Sequence, residues 1–313
     1  MKEYVLSYYP NFKCIAGKCK HTCCAGWEMN IDSDSLTAYQ NDRSDFYPTL
    51  KRGINFRKSK FKYDKNRRCA FLNDKGLCEI ITNIGEKSLC QVCRDHPRFR
   101  SFFDDRVEMG LGFCCEESAR IILLYEDKIE PILKNDDDKN TVFNINQKFL
   151  LEFRQKALDI LQDRTTTINN RIETLLRLCS ADMHAKNDKR VLNTFLSFER
   201  LDKGWTKRLK NIKGQPLLKD TDDAYSLYCE QFLVNSLYRH LYDAEDTMWA
   251  RAKTIGCVIS WWIIQSVLAQ EKMAEKEELD LLIDIVRAFS AEVEYSQKNL
   301  NKLFDFCYDF IKI

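Results

Sequence analysis

The chain has 313 residues, and its 49 Lys and Arg against 47 Asp and Glu leave a net charge of +2, so no overall field selects nucleic acid or an anionic membrane. That length supports one large domain or two, with a substantial core. Five prolines and ten glycines are few for the length, which favours long helices over the many tight turns of a β-sandwich or barrel.

The opening MKEYVLSYYPNF has neither the apolar core nor the small-residue cleavage site of a secretory leader, and residues 1–30 read as loop and short turns. A cytoplasmic location is expected, where thiols stay reduced and clustered cysteines hold metal or do redox chemistry more often than they form disulfides. Asp32 or Ser33 is placed to cap a short helix through Tyr39. From Lys51 to Arg68 nine basic residues stand against one acid, Asp64, and Phe61 and Tyr63 alternate with lysines as on an exposed strand.

Cys69-Ala-Phe-Leu-Asn-Asp-Lys-Gly-Leu-Cys78 has the turn residues and apolar flanks of a small hairpin, which would set its two thiols side by side. A short helix after Gly85 delivers Cys90 and Cys93 and stops at His96-Pro97, because the residue before proline is pushed out of the helical region. Val107 to Cys115 alternates loosely, and Glu116 or Glu117 opens a helix expected to run to about Leu133.

The polar run Asn135 to Asn140 marks a break between a module at 1–134 and a helical domain at 141–313. Beyond it the pattern is helical almost throughout, as in Phe149, Leu150, Phe153, Ala157, Ile160 and Leu161, and about seven helices are expected. The most apolar run, Ile255 to Ile264, falls short of the ~20 residues a bilayer span requires, so it is expected to be a buried helix, with no transmembrane segment in the chain.

Ten of the fourteen cysteines lie in the first third, as Cys14-x4-Cys19-x3-Cys23-Cys24, Cys69-x8-Cys78, Cys90-x2-Cys93 and Cys114-Cys115. Such spacings let sulfurs from separate turns face one ion while backbone amides stabilise the thiolates. A thiol excess with few histidines suits zinc or an iron–sulfur cluster rather than copper or non-haem iron. Cys179, Cys229, Cys257 and Cys307 stand alone in helical patterns and read as core thiols. The Cys-x3-Cys-x2-Cys loop of radical enzymes is not met, since Gly26 occupies the third position after Cys19 and Cys23. Dinucleotide, phosphate-loop, serine-hydrolase and zinc-protease signatures are also missing.

The run Cys14-Ile-Ala-Gly-Lys-Cys19-Lys-His-Thr-Cys23-Cys24-Ala-Gly-Trp27 resembles the opening motif of the flagellin lysine-N-methylase family. The resemblance continues in order through Cys69-Ala-Phe-Leu, Gly76-Leu77-Cys78, Ile84-Gly85-Glu86, Cys93-Arg94-Asp95-His96-Pro97-Arg98, and Cys115 with Glu117, Ala119 and Arg120. A weaker likeness covers Tyr228 to Arg239, through Glu230, Leu233, Val234, Asn235 and Arg239. A shorter one links the paired cysteines and the Cys-x-Phe-Leu run to small zinc- or iron-chelating domains. Aligned this way, the family's cysteines fall on Cys14, Cys19, Cys23, Cys24, Cys69, Cys78, Cys93 and Cys115, while Cys90 and Cys114 fall where the family does not usually carry cysteine.

The resemblance implies methyl transfer from S-adenosylmethionine to lysine side chains of flagellin, and a 4Fe–4S cluster on those thiols, with zinc as the alternative. Catalytic residues are not identified by it. Glu117, Arg120, Asn235 and Arg239, polar positions on otherwise apolar helix faces, are the candidates to line a cofactor pocket between the two modules. The expected fold is mainly α: an irregular Cys-rich metal-binding N-terminal module with a small β-hairpin, packed on a C-terminal helical domain. A metal-binding module without catalytic activity is the competing function.

Overall fold

In the computed structural model of the chain, residues 1–136, 145–181, 189–212, 223–271 and 275–312 are described. They divide into two units, Lys13–Arg98 on the one hand and Met1–Phe12 with Phe99–Ile313 on the other. The fold is mainly helical with a small sheet, as the scarcity of turn residues predicts. The expected break at Asn135 to Asn140 lies outside the described residues from 137 onward, and Pro131–Asp136 belongs to the larger unit.

The larger unit begins with a surprise for the sequence reading. Residues 2–6 are not loop but a strand inside a four-stranded sheet, ordered Arg98–Phe102, Arg106–Leu111, Lys2–Leu6, Pro131–Asp136. Lys2–Leu6 runs parallel to Arg106–Leu111 and antiparallel to Pro131–Asp136. The helix opened by Glu116 stops at Leu123, ten residues before the expected end. Pro131 has no amide hydrogen to continue a helix, and it starts an edge strand, where that loss costs no ladder bond. The strand's partner lies at the far N-terminus, so no local pattern could announce it.

Eight α-helices follow among the described residues, from Ile145–Leu161 to Gln297–Tyr308. Thr247–Gln270 is the core helix: it is long and apolar enough to cross a membrane, yet 94% of its most apolar window is buried inside the protein. Thr254, Ser260 and Ser266 fit this apolar setting because each hydroxyl donates to the carbonyl four residues back, at 2.8, 2.7 and 2.7 Å. Phe232 bridges the layers, stacking on Phe113 at 5.0 Å and tilting against Trp261 at 5.3 Å.

Within Lys13–Arg98, Asp32 caps the helix Ser33–Gln40 as expected, its Oδ1 accepting from Ser35 N at 2.9 Å. Its Oδ2 accepts from Gln91 N at 2.7 Å, so one aspartate orders both that helix and the start of Gln91–Asp95. The basic run is not one exposed strand. Lys51 to Gly53 close the helix Tyr47–Gly53, Lys60–Phe61 pairs with Ile54–Asn55, and Tyr63 and Arg68 make single bridges to Cys69 and Ala25. Phe61 is 4% exposed and meets Phe71 edge-on at 5.3 Å, because one face of this ladder covers a second core. The Cys69 to Cys78 segment folds back as a tight turn in which Asn73 Oδ1 accepts from the amides of Lys75 and Leu77. Cys78 pairs with Leu72 across that turn, not with Cys69.

Candidate functional site

Seven of the eight cysteines expected to bind metal lie in Lys13–Arg98, and the eighth, Cys115, lies in the larger unit. Met29, Phe61 and Phe71 form an apolar floor on which Cys69 and Cys90 are buried, with Cys24, Cys78 and Cys93 packed at its edge. Cys93 Sγ sits 3.3 Å from Met29 Sδ. The turn carrying Cys14 and Cys19 approaches the Asn73–Leu77 turn so closely that a Cβ on Gly17 would meet the Lys75 carbonyl at 2.9 Å. Cys14 itself is exposed and accepts from Ala16 N at 3.4 Å.

The thiols influence one another electrostatically. Burial, with smaller contributions from the neighbouring Cys24, Cys78 and Cys90, pushes Cys69 up to about 12. A hydrogen bond from Cys23 brings Cys24 down to about 7 against the cost of burial. Cys90 is lowered by a hydrogen bond from Cys93, and the same contact, with burial, raises Cys93. Cys90, set aside on resemblance, is the most buried thiol of the group, and its Cys-x2-Cys spacing was the available signal.

This donor set is chemically suited to zinc or an iron–sulfur cluster, since it is all thiol and gathers five sulfurs on one core. Among the described residues, however, no three His, Cys, Asp or Glu side chains are arranged to hold a metal ion.

In the larger unit, Cys115 precedes the helix Glu116–Leu123 and its carbonyl accepts from Ala119 N at 2.8 Å. Glu117 and Arg120 pair with each other on that helix at 2.6 Å. Asn235 is fully buried: it accepts from the Tyr8 hydroxyl, and its Nδ2 donates to the Leu111 carbonyl at 3.2 Å. Arg239, one helical turn further on, lines a cleft of ≈ 500 Å³.

Beside that cleft lies a buried polar group that the sequence did not disclose. Glu294 accepts from Arg239 Nη1 at 3.0 Å, from His240 Nε2 at 2.9 Å and from the Ser290 hydroxyl. Burial opposes its ionisation, but Arg239 and the hydrogen bonds from His240 and Ser290 win and bring its carboxyl down to about 2. Burial holds His240 below its usual range, so a neutral imidazole donates Nε2–H to the carboxylate. Glu294 ends a five-residue π-helical turn, Ser290–Glu294, of the kind found often at functional sites.

Comparison with known proteins places the chain in a family. The chain is 22% identical over 165 residues to the lysine-N-methylases of Salmonella choleraesuis and Salmonella typhimurium, covering 48% of this chain and 41% of each relative. It is 23% identical over 134 residues to the flagellar biosynthetic protein FliU of Salmonella muenchen, covering 39% of this chain and 79% of that protein. The chain thus spans about two fifths of the length of the two lysine-N-methylases. No solved structure matches. The family model described as the FliB lysine N-methylase C-terminal domain matches residues 112–311, more than half of the chain, with Glu117, Asn235, Arg239 and Glu294 inside the match, and the chain belongs to that family.

Proposed function

We propose that this protein is an S-adenosylmethionine-dependent methyltransferase that acts on lysine side chains of flagellin in the cytoplasm. The observation that carries the reading is the family match across residues 112–311, joined by the flagellar protein among the relatives. S-adenosylmethionine, when bound, supplies an electrophilic methyl group. The chain's part is to orient a lysine amine and keep it neutral, against a reference pKa of about 10.4, by removing water from around it or accepting its proton. The cleft lined by Arg239 and Glu294, ≈ 500 Å³, offers room for such a step.

The same proposal includes a 4Fe–4S cluster on thiols of residues 13–98, with zinc as the alternative. All fourteen cysteines are free thiols, and the five gathered on one apolar floor supply the soft donors either group requires. Bound there, the group would tie together segments that are far apart in the chain. Incubating anaerobically purified protein with flagellin and S-adenosylmethionine tests the activity. Flagellin is expected to gain mass in methyl increments on lysine, and unchanged flagellin beside a modifying reference enzyme sinks the proposal. Iron and sulfide analysis decides the metal separately.

A further inference from the structure

The cleft beside Glu294 has a charge pattern of its own. Three cations, Arg100, Arg239 and Lys253, face four carboxylates, Asp243, Glu245, Glu294 and Asp305, an excess of one negative charge with His240 neutral. Among these charges Arg239 is matched by Glu294 at 3.0 Å and Lys253 by Asp243. Both also lie over aromatic rings of the lining: Lys253 Nζ is 5.5 Å from the centre of Phe304, and Arg239 Cζ is 5.8 Å from that of Phe99. The cleft thus holds its own cations between a carboxylate and a ring face, each half adding to the other.

A second set of the same parts stands open. Tyr242 and Trp249 line the cleft, and among the described residues no cation lies over either ring. Glu245 and Asp305 are exposed and have no ion pair among the described residues. Trp249 packs against Tyr308, ring centres 5.2 Å apart.

We propose that this cleft receives an onium cation, either the ammonium of a lysine side chain or the sulfonium of S-adenosylmethionine, against Tyr242 and Trp249 with Glu245 and Asp305 as its counter-charge. The identity of the cation rests on the methyltransferase reading; its charge does not.

Calorimetry on the full chain tests this with two matched pairs: Nα-acetyl-lysine-methylamide against its neutral norleucine counterpart, and S-adenosylmethionine against neutral S-adenosylhomocysteine. At least one cation is expected to bind more tightly than its neutral partner. The double variant E245Q/D305N, at exposed positions, is expected to weaken that cation about three- to fivefold, to flatten its salt dependence and to leave the neutral partner unchanged. The pair that shows the preference identifies the source. Equal binding within both pairs, or an unaltered cation affinity in the double variant, overturns the proposal. Methyl transfer to flagellin is scored in parallel on the same protein. A cation preference without methyl transfer removes the proposed function and leaves the cleft assignment standing, whereas methyl transfer without the preference does the reverse.

Discussion

Tyr8 and Asn235, 227 positions apart, are joined by a buried hydrogen bond in which the tyrosine hydroxyl donates to Asn235 Oδ1 while accepting from Leu111 N at 3.0 Å. One hydroxyl thereby fastens the N-terminal segment to a central helix and to the strand Arg106–Leu111. Its burial pushes the phenol far above its usual range, so it is a fixed donor at every working pH.

Replacing Tyr8 by Phe keeps the ring and strands both partners without water. The expected loss is about 1–3 kcal/mol, the cost of leaving buried polar groups unpaired. A urea midpoint for Y8F equal to that of the unaltered protein would contradict this.

Glu294→Gln removes the counter-charge of Arg239 and is expected to cost about 3–5 kcal/mol, because a guanidinium stays buried without its partner. The sign with pH follows from the depressed carboxyl. Its stabilising contribution is complete above its ordinary value of about 4.5 and fades as pH falls towards about 2. The stability gap between the unaltered protein and E294Q should be constant near neutrality and close on acidification. A gap that widens in acid would show that the carboxyl is not held ionised.

Cys90 lies in contact with Cys93, and both pack against the same apolar floor. Cys90→Ser is therefore expected to lower the metal content of anaerobically purified protein as far as Cys93→Ser does, read as iron, zinc and sulfide per chain with the visible absorption. Full metal loading in Cys90→Ser would return this thiol to a packing role.

Gly53→Ala sets two effects against each other. A helical alanine gains about 1 kcal/mol over glycine, but here its Cβ would fall 2.4 Å from Phe71 Cζ. Phe71 is 1% exposed and wedged against Phe61 and Phe46, so it cannot swing aside. Overpacking of about 1–3 kcal/mol should win, seen as faster proteolysis within residues 13–98. Greater resistance in G53A would mean that the ring can move.

Local chemistry was legible in the sequence wherever it stayed local. Asp32 announced its helix through one side chain and one amide, and the apolar spacing of Leu150, Phe153, Ala157 and Leu161 returned as a buried helix face. The clustered cysteines proclaimed a thiol-rich module, though not the burial of Cys90. What escaped was long-range. Lys2–Leu6 becomes a strand only because residues more than a hundred positions away flank it on both sides. Glu294 looked like one more acid on a helix, since Arg239 and His240 reach it from 55 and 54 positions away.

The wide turn at Ser290–Glu294 carries a consequence for how this chain can vary. Adding one residue to a helical turn rotates everything beyond it by about 100° relative to a regular helix. Shortening the segment by a single residue would straighten the backbone, which by itself is favourable, yet swing Glu294 off its three donors. Length at this point is thus held by the orientation of one carboxylate, and a substitution at the half-buried Ala291 should be borne far more readily than a one-residue deletion.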